Sequence, residues 1–142
     1  MQLEADLTTK FGGVVDPFAA WIDSAAFNSP PLTTEQKLPG ADPDGDGMSN
    51  QEEFAFGLNP VLGSSINPIT VPLNKATHKF SYTRLSTSGL TYTVLTSTDL
   101  VTWDSAAVTE SLGTLVDGVQ TLEATLTAPL AGDKLFVRVQ AQ

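Results

Sequence analysis

Three aspartates stand at alternate positions, Asp42, Asp44 and Asp46, with Gly47 directly after them and Glu53 completing a twelve-residue stretch, DPDGDGMSNQEE. Alternate residues in a tightly curled loop point inward, so this spacing converges carboxylates on one point. Carboxylates brought that close repel one another unless a cation lies between them. Residues 42–53 fit the pattern D-x-[DN]-x-[DN]-G-x5-E at every fixed position, and that pattern serves calcium. Calcium takes about six to eight hard oxygens at about 2.3–2.6 Å. Asp42, Asp44 and Asp46 would each offer one oxygen, and Gly47 permits the sharp turn. Met48 would offer its main-chain carbonyl, Asn50 would act directly or through water, and Glu53 would close the shell with both oxygens. One calcium ion is therefore expected. The competing readings are an acidic turn without an ion, and magnesium, which prefers a small octahedral shell that keeps several waters. Zinc fits poorly, with no cysteine and one histidine in the chain.

Something must hold that loop. The chain has 142 residues, enough for one domain or two small packed ones, and an apolar content ordinary for a folded protein. The formal net charge of -9 disfavours nucleic acid and anionic lipid as partners. The lack of cysteine excludes disulfides. No apolar run is long enough to span a bilayer, so no membrane insertion is expected. Residues 1–13 carry Glu4 and Asp6 and no apolar signal core, so they do not read as an export signal.

Residues 1–15 have no clear period and read as an N-terminal arm or linker. Asp16 then suits an N-cap and Pro17 a first helical position, and Phe18, Trp21, Ile22 and Ala25 follow at helical spacing. This predicts a helix over residues 17–27, stopped by Asn28 and Pro30–Pro31. Thr33, Thr34 and Glu35 could open a short turn. A second helix is expected over residues 50–56, with Phe54 inward and Gly57 ending it. Residues 16–60 thus form a helix–loop–helix unit, and residues 61–75, rich in Asn, Pro, Gly and Ser, a connector.

From residue 76 the pattern alternates as strands do. Phe80 and Tyr82, then Tyr92 and Val94, mark two strands joined by an expected hairpin turn at Ser88–Gly89. Residues 106–116 are a weaker candidate. Asp117–Gly118 is a turn signal before Leu122, Ala124 and Leu126, and residues 131–133 turn again before Leu135, Val137 and Val139. About five short strands are too few for a complete immunoglobulin-type sandwich. The expected fold is α+β, with the two helices covering the apolar face of an antiparallel sheet in a small, sandwich-like domain.

The stretch DPDGDGMSNQEEFAFGLNP, residues 42–60, resembles the calcium segment found near the C-termini of large secreted proteins of Verrucomicrobia and Planctomycetes. These segments are similar to thrombospondin type 3 repeats and dockerin loops. Phe18, Trp21 and Phe27 resemble the family's upstream helix. STDLVTW, residues 97–103, resembles its β-region signature, and Phe136-Val137-Arg138-Val139 its closing strand. The resemblance covers residues 16–142. It implies export, a place at the end of a longer polypeptide and no known activity. Dockerins carry two such loops and thrombospondin arrays many; this chain has one.

Other residues offer less. His78, the only histidine, has no serine–acid arrangement that the sequence can place beside it. Asp99 and Asp104 flank Trp103 as a conceivable second cation site, with turn roles favoured. Trp21, Trp103, Tyr82 and Tyr92 could form a sugar platform, with core packing favoured. Arg84 and Arg138 are expected to pair with acids. The resulting expectation is a non-catalytic, calcium-stabilised structural or attachment module of a secreted protein, found extracellularly or at the cell surface. Its partners would be the rest of a larger polypeptide, a glycan or a cell-surface component. The alternatives are a carbohydrate-binding module and a subunit that self-associates or docks through a sheet edge or the N-terminal arm.

Overall fold

The computed structural model describes residues 16–65, 67–127 and 135–142. The expected N-terminal arm and the turn at residues 131–133 lie outside the described residues.

The first helix, α1 (Pro17–Ile22), starts as expected: the Asp16 side chain accepts the Phe18 N–H and Pro17 occupies the first turn. It is shorter than its periodicity suggests. The Asn28 carboxamide donates to the carbonyls of Ile22 and Ser24, which satisfies acceptors at the helix end and turns the chain there. The rest of the apolar stripe continues as a single 3-10 turn, Ala25–Phe27. A second 3-10 turn, Glu35–Lys37, follows Thr33 and Thr34. The second helix, α2 (Asn50–Phe56), has the expected bounds. Ser49 caps it in a capping box with Glu52, and Gly57 ends it in the left-handed conformation. No helix among the described residues is long and apolar enough to cross a membrane.

Seven strands follow among the described residues: β1 (Ile69–Asn74), β2 (Lys79–Leu85), β3 (Tyr92–Ser97), β4 (Asp104–Ser105), β5 (Val108–Val116), β6 (Val119–Leu126) and β7 (Phe136–Ala141). They form two antiparallel sheets, ordered β1-β2-β6-β5 and β4-β3-β7. With seven strands and two short α-helices the fold is a β-rich α+β arrangement. Phe80 and Tyr82 of β2 pair in register with Ala124 and Leu122 of β6. Together with Leu126 these residues bury against Val94 of the other sheet, with Val137 and Val139 packed around them.

Three expectations change here. The face of the larger sheet is covered by the second sheet, while α2 packs against β2 and β3: Thr83 Oγ1 donates to the Phe56 carbonyl, and the Tyr92 hydroxyl to that of Ala55. Ser88–Gly89 turns the chain, with Gly89 at φ 74°, but does not make a hairpin. Both edges of β2 are taken, by β1 and β6, so β3 crosses to the other sheet and pairs with β7. Finally, residues 69–74, read as connector, form β1. This is an edge strand with two register shifts and Pro72 inside it, and an edge tolerates a missing N–H. The Asp117–Gly118 turn is as expected, both residues having positive φ, 51° and 82°, as a tight hairpin requires.

Candidate metal centre

The acidic loop connects the Glu35–Lys37 turn to α2, and its backbone is shaped by its own aspartates. Asp42 accepts three N–H groups: Oδ1 those of Gly45 and Asp46 at 2.8 and 3.1 Å, and Oδ2 that of Gly47 at 2.9 Å. Asp44 Oδ1 accepts from Asp46 N–H at 3.2 Å, and Asp46 Oδ1 from Met48 N–H at 2.8 Å. Gly45 and Gly47 take φ of 76° and 97°, which other residues rarely adopt, and so allow this curl. The result places carboxylate oxygens of Asp42, Asp44 and Asp46 within 4.8 Å of one another. That cluster could hold a metal ion.

α2 supplies the floor. Its first residue, Asn50, and its fourth, Glu53, are both 0% exposed. Asn50 Nδ2 donates to the carbonyls of Gln36 at 2.7 Å and Leu38 at 2.9 Å, leaving Oδ1 without a partner. Neither oxygen of Glu53 has a partner, nor does Asp44 Oδ2 or Asp46 Oδ2. Buried polar atoms are ordinarily hydrogen-bonded. Among the described residues, the buried side-chain polar atoms lacking a partner are these five oxygens, and all belong to the loop and the first turn of α2. Each is an acceptor when the carboxylates are ionised.

The electrostatics agree. Without a cation, burial pushes the Glu53 carboxyl up to about 8, with the charges of Asp44, Asp46 and Asp42 adding to the rise. Burial likewise raises Asp44, against the Asp46 N–H bond. Asp42, at the exposed rim, is lowered, chiefly by the N–H of Gly47. Glu52 points away: its carboxylate accepts from Ser49 N–H and Oγ at 2.9 and 2.8 Å in the capping box.

Two contributors have no signature in sequence. The carbonyls of Gln36 and Leu38 orient Asn50, and Gly63 returns over the loop, where a Cβ would lie 3.7 Å from the Asp44 carbonyl.

The other candidates resolve into structure. Asp99 Oδ1 accepts from Ser97 Oγ and from the N–H groups of Val101 and Thr102, while Ser97 Oγ accepts from Leu100 N–H. The Ser-Thr-Asp-Leu stretch is thus a self-capped turn, and among the described residues Asp99 and Asp104 belong to no metal-ligating cluster. Trp21 packs against Phe18 at a tilt and against Phe27 and Phe54 edge-to-face, with ring centroids 5.0–5.8 Å apart. Tyr82 is fully buried and donates to Glu110 at 2.6 Å. Arg138 lies over the Trp103 ring at 4.4 Å, and Arg84 over Tyr92 at 5.4 Å. These arginines meet aromatic faces rather than the expected acids. His78 sits in the β1–β2 turn at φ 62°, its main-chain carbonyl accepting from Leu126 N–H. Comparisons with protein-family models, curated proteins and solved structures returned no match, so the reading of this centre rests on its own geometry.

Proposed function

We propose that the loop of residues 42–53 binds one calcium ion, and that the chain is a non-catalytic, calcium-stabilised structural or attachment module of a secreted bacterial protein. The observation that carries the metal reading is the set of five buried, partnerless oxygens on Asp44, Asp46, Asn50 and Glu53. Five acceptors with no donor among them suit a cation that accepts many oxygens. Adding an Asp42 oxygen and the Met48 carbonyl gives about seven ligands, a number calcium takes and magnesium does not. Such loops in extracellular modules bind at roughly 10⁻⁴–10⁻³ M, so calcium outside a cell would fill the site and cytosolic calcium would not. The export reading draws on the resemblance to secreted calcium segments. Titration calorimetry of the full chain tests the metal. Uptake of one calcium, with magnesium much weaker, supports the proposal; no heat with millimolar calcium rejects it.

One observation favours a second reading, docking through a sheet edge. β5 is an edge strand that leaves Leu112, Leu115 and Val116 exposed at 68%, 59% and 62%. A mass that rises with concentration in light scattering would favour it. The aromatic residues, being packed, stacked or hydrogen-bonded, give the carbohydrate reading no comparable support.

A further inference from the structure

We infer that Asn50 is a two-sided positioning residue that makes the order of residues 36–41 depend on the ion, so that losing calcium opens the Lys37–Leu38 peptide bond to proteolysis. The inference rests on the calcium reading above and extends it to a segment outside the loop.

The segment has little else to hold it. No residue from 28 to 49 is buried, so no apolar core fixes this stretch. Its ties to the rest of the molecule come from the start of α2. Asn50 Nδ2 donates to the carbonyls of Gln36 and Leu38, Asn50 N–H donates to Ala41 at 2.8 Å, and Gln51 N–H to Pro39 at 2.9 Å. The remaining bonds are local, such as the reciprocal pair between Thr33 and Gln36, or exposed, such as the Lys37–Asp23 ion pair. An exposed ion pair contributes little.

Asn50 is fully buried, and its amide has two ends with different needs. Two carbonyls on one side fix the NH2 there. The oxygen is thereby turned the other way, where it has no partner in the protein. A cation bound by that oxygen satisfies it and holds the amide in this orientation. Without the cation that oxygen stays buried with nothing to accept from, a cost relieved when residues 36–41 part from the start of α2 and water reaches the amide, which breaks both bonds to residues 36 and 38. Ion occupancy and the order of residues 36–41 are then one equilibrium, and local opening of this segment follows loss of the ion.

The test uses the full chain and a lysine-specific endoprotease that does not need calcium. Cleavage after Lys37 is compared with cleavage after Lys75, in the β1–β2 turn of the sandwich. Several-millimolar calcium is expected to slow the Lys37 cut by at least about tenfold relative to chelator, leaving the Lys75 cut unchanged. Asn50→Asp keeps an oxygen for the ion and loses the NH2. With calcium raised until calorimetry shows the variant saturated, whatever its affinity, Lys37 is expected to stay open to cleavage. Should that variant not fold, the wild-type Asn50 carboxamide protons give the same information by NMR: slow exchange with calcium and fast exchange in chelator. Equal Lys37 cleavage with and without calcium in a wild type that binds it overturns the inference and leaves the calcium reading intact. Wild-type protection in Asn50→Asp, or equal carboxamide exchange in both conditions, does the same. Absence of calcium uptake by the wild type overturns both.

Discussion

The two halves of this chain are stabilised by opposite means. In residues 69–142 the side chains that matter are apolar and dry: Phe80, Tyr82, Val94, Leu122, Ala124 and Leu126 close a core between two sheets. In residues 28–49 nothing is buried, and the atoms hidden beside this stretch are oxygens with nothing to accept. A hydrophobic core is complete in water at any calcium concentration. A cage of acceptors is complete only with its cation, and without one it carries the cost of buried, mutually repelling charge. Under the calcium proposal, part of the fold is encoded in the chain alone and part in the chain plus its medium.

The largest effect that separates the halves should come from the core. Phe80→Ala is expected to lower stability by about 3–5 kcal/mol, equally in calcium and in chelator, measured by denaturant melts. A loss confined to one condition would break the division. Next comes the ion itself. At a hundredfold excess over Kd, calcium is expected to add about 2.7 kcal/mol, and Asp44→Ala or Glu53→Ala to remove that increment from thermal melts. Identical wild-type curves in millimolar calcium and in chelator would contradict this.

A smaller effect concerns pH in chelator. The Glu53 carboxyl moves from an ordinary 4.5 to about 8 in the metal-free fold. Between those values the folded chain holds a proton that the unfolded chain has released, so stability falls as pH rises across the window. Asp44 is raised as well and adds in the same sense, while the lowered Asp42 acts the other way at more acid pH. The metal-free protein should therefore melt higher at pH 5 than at pH 8, and Glu53→Gln should flatten the slope. A metal-free protein stabilised by raising the pH would show that the fold does not hold the Glu53 carboxyl above its ordinary range. The smallest effect is that of Glu52→Ala. Loss of the capping box should cost about 1 kcal/mol with the calcium increment kept.

The candidate site was legible because ligand spacing is local: Asp42, Asp44, Asp46, Asn50 and Glu53 lie in one short stretch, and one turn of α2 carries the last two. The capping residues Asp16, Ser49 and Gly57 are equally local. Strand partnering is not. Phe80, Tyr82 and Val94 alternate the same way whether β2 and β3 form a hairpin or cross between sheets, so alternation could not choose. β1 hid behind Pro72, and β4 is two residues long. The orientation of Asn50 depends on carbonyls at Gln36 and Leu38, and main-chain carbonyls carry no residue type.

Gly57 places a limit on how such a module can be taken apart or rebuilt. It ends α2 at φ 69°, and a Cβ there would sit 2.9 Å from both methyl groups of Val119, the first residue of β6. One small residue thus answers to the helix in front of it and to a strand far along the chain. A loop transplanted onto another sandwich would have to bring its glycine and find, on the receiving strand, a side chain no bulkier than valine. The graftable unit is therefore larger than the twelve residues that would touch the ion.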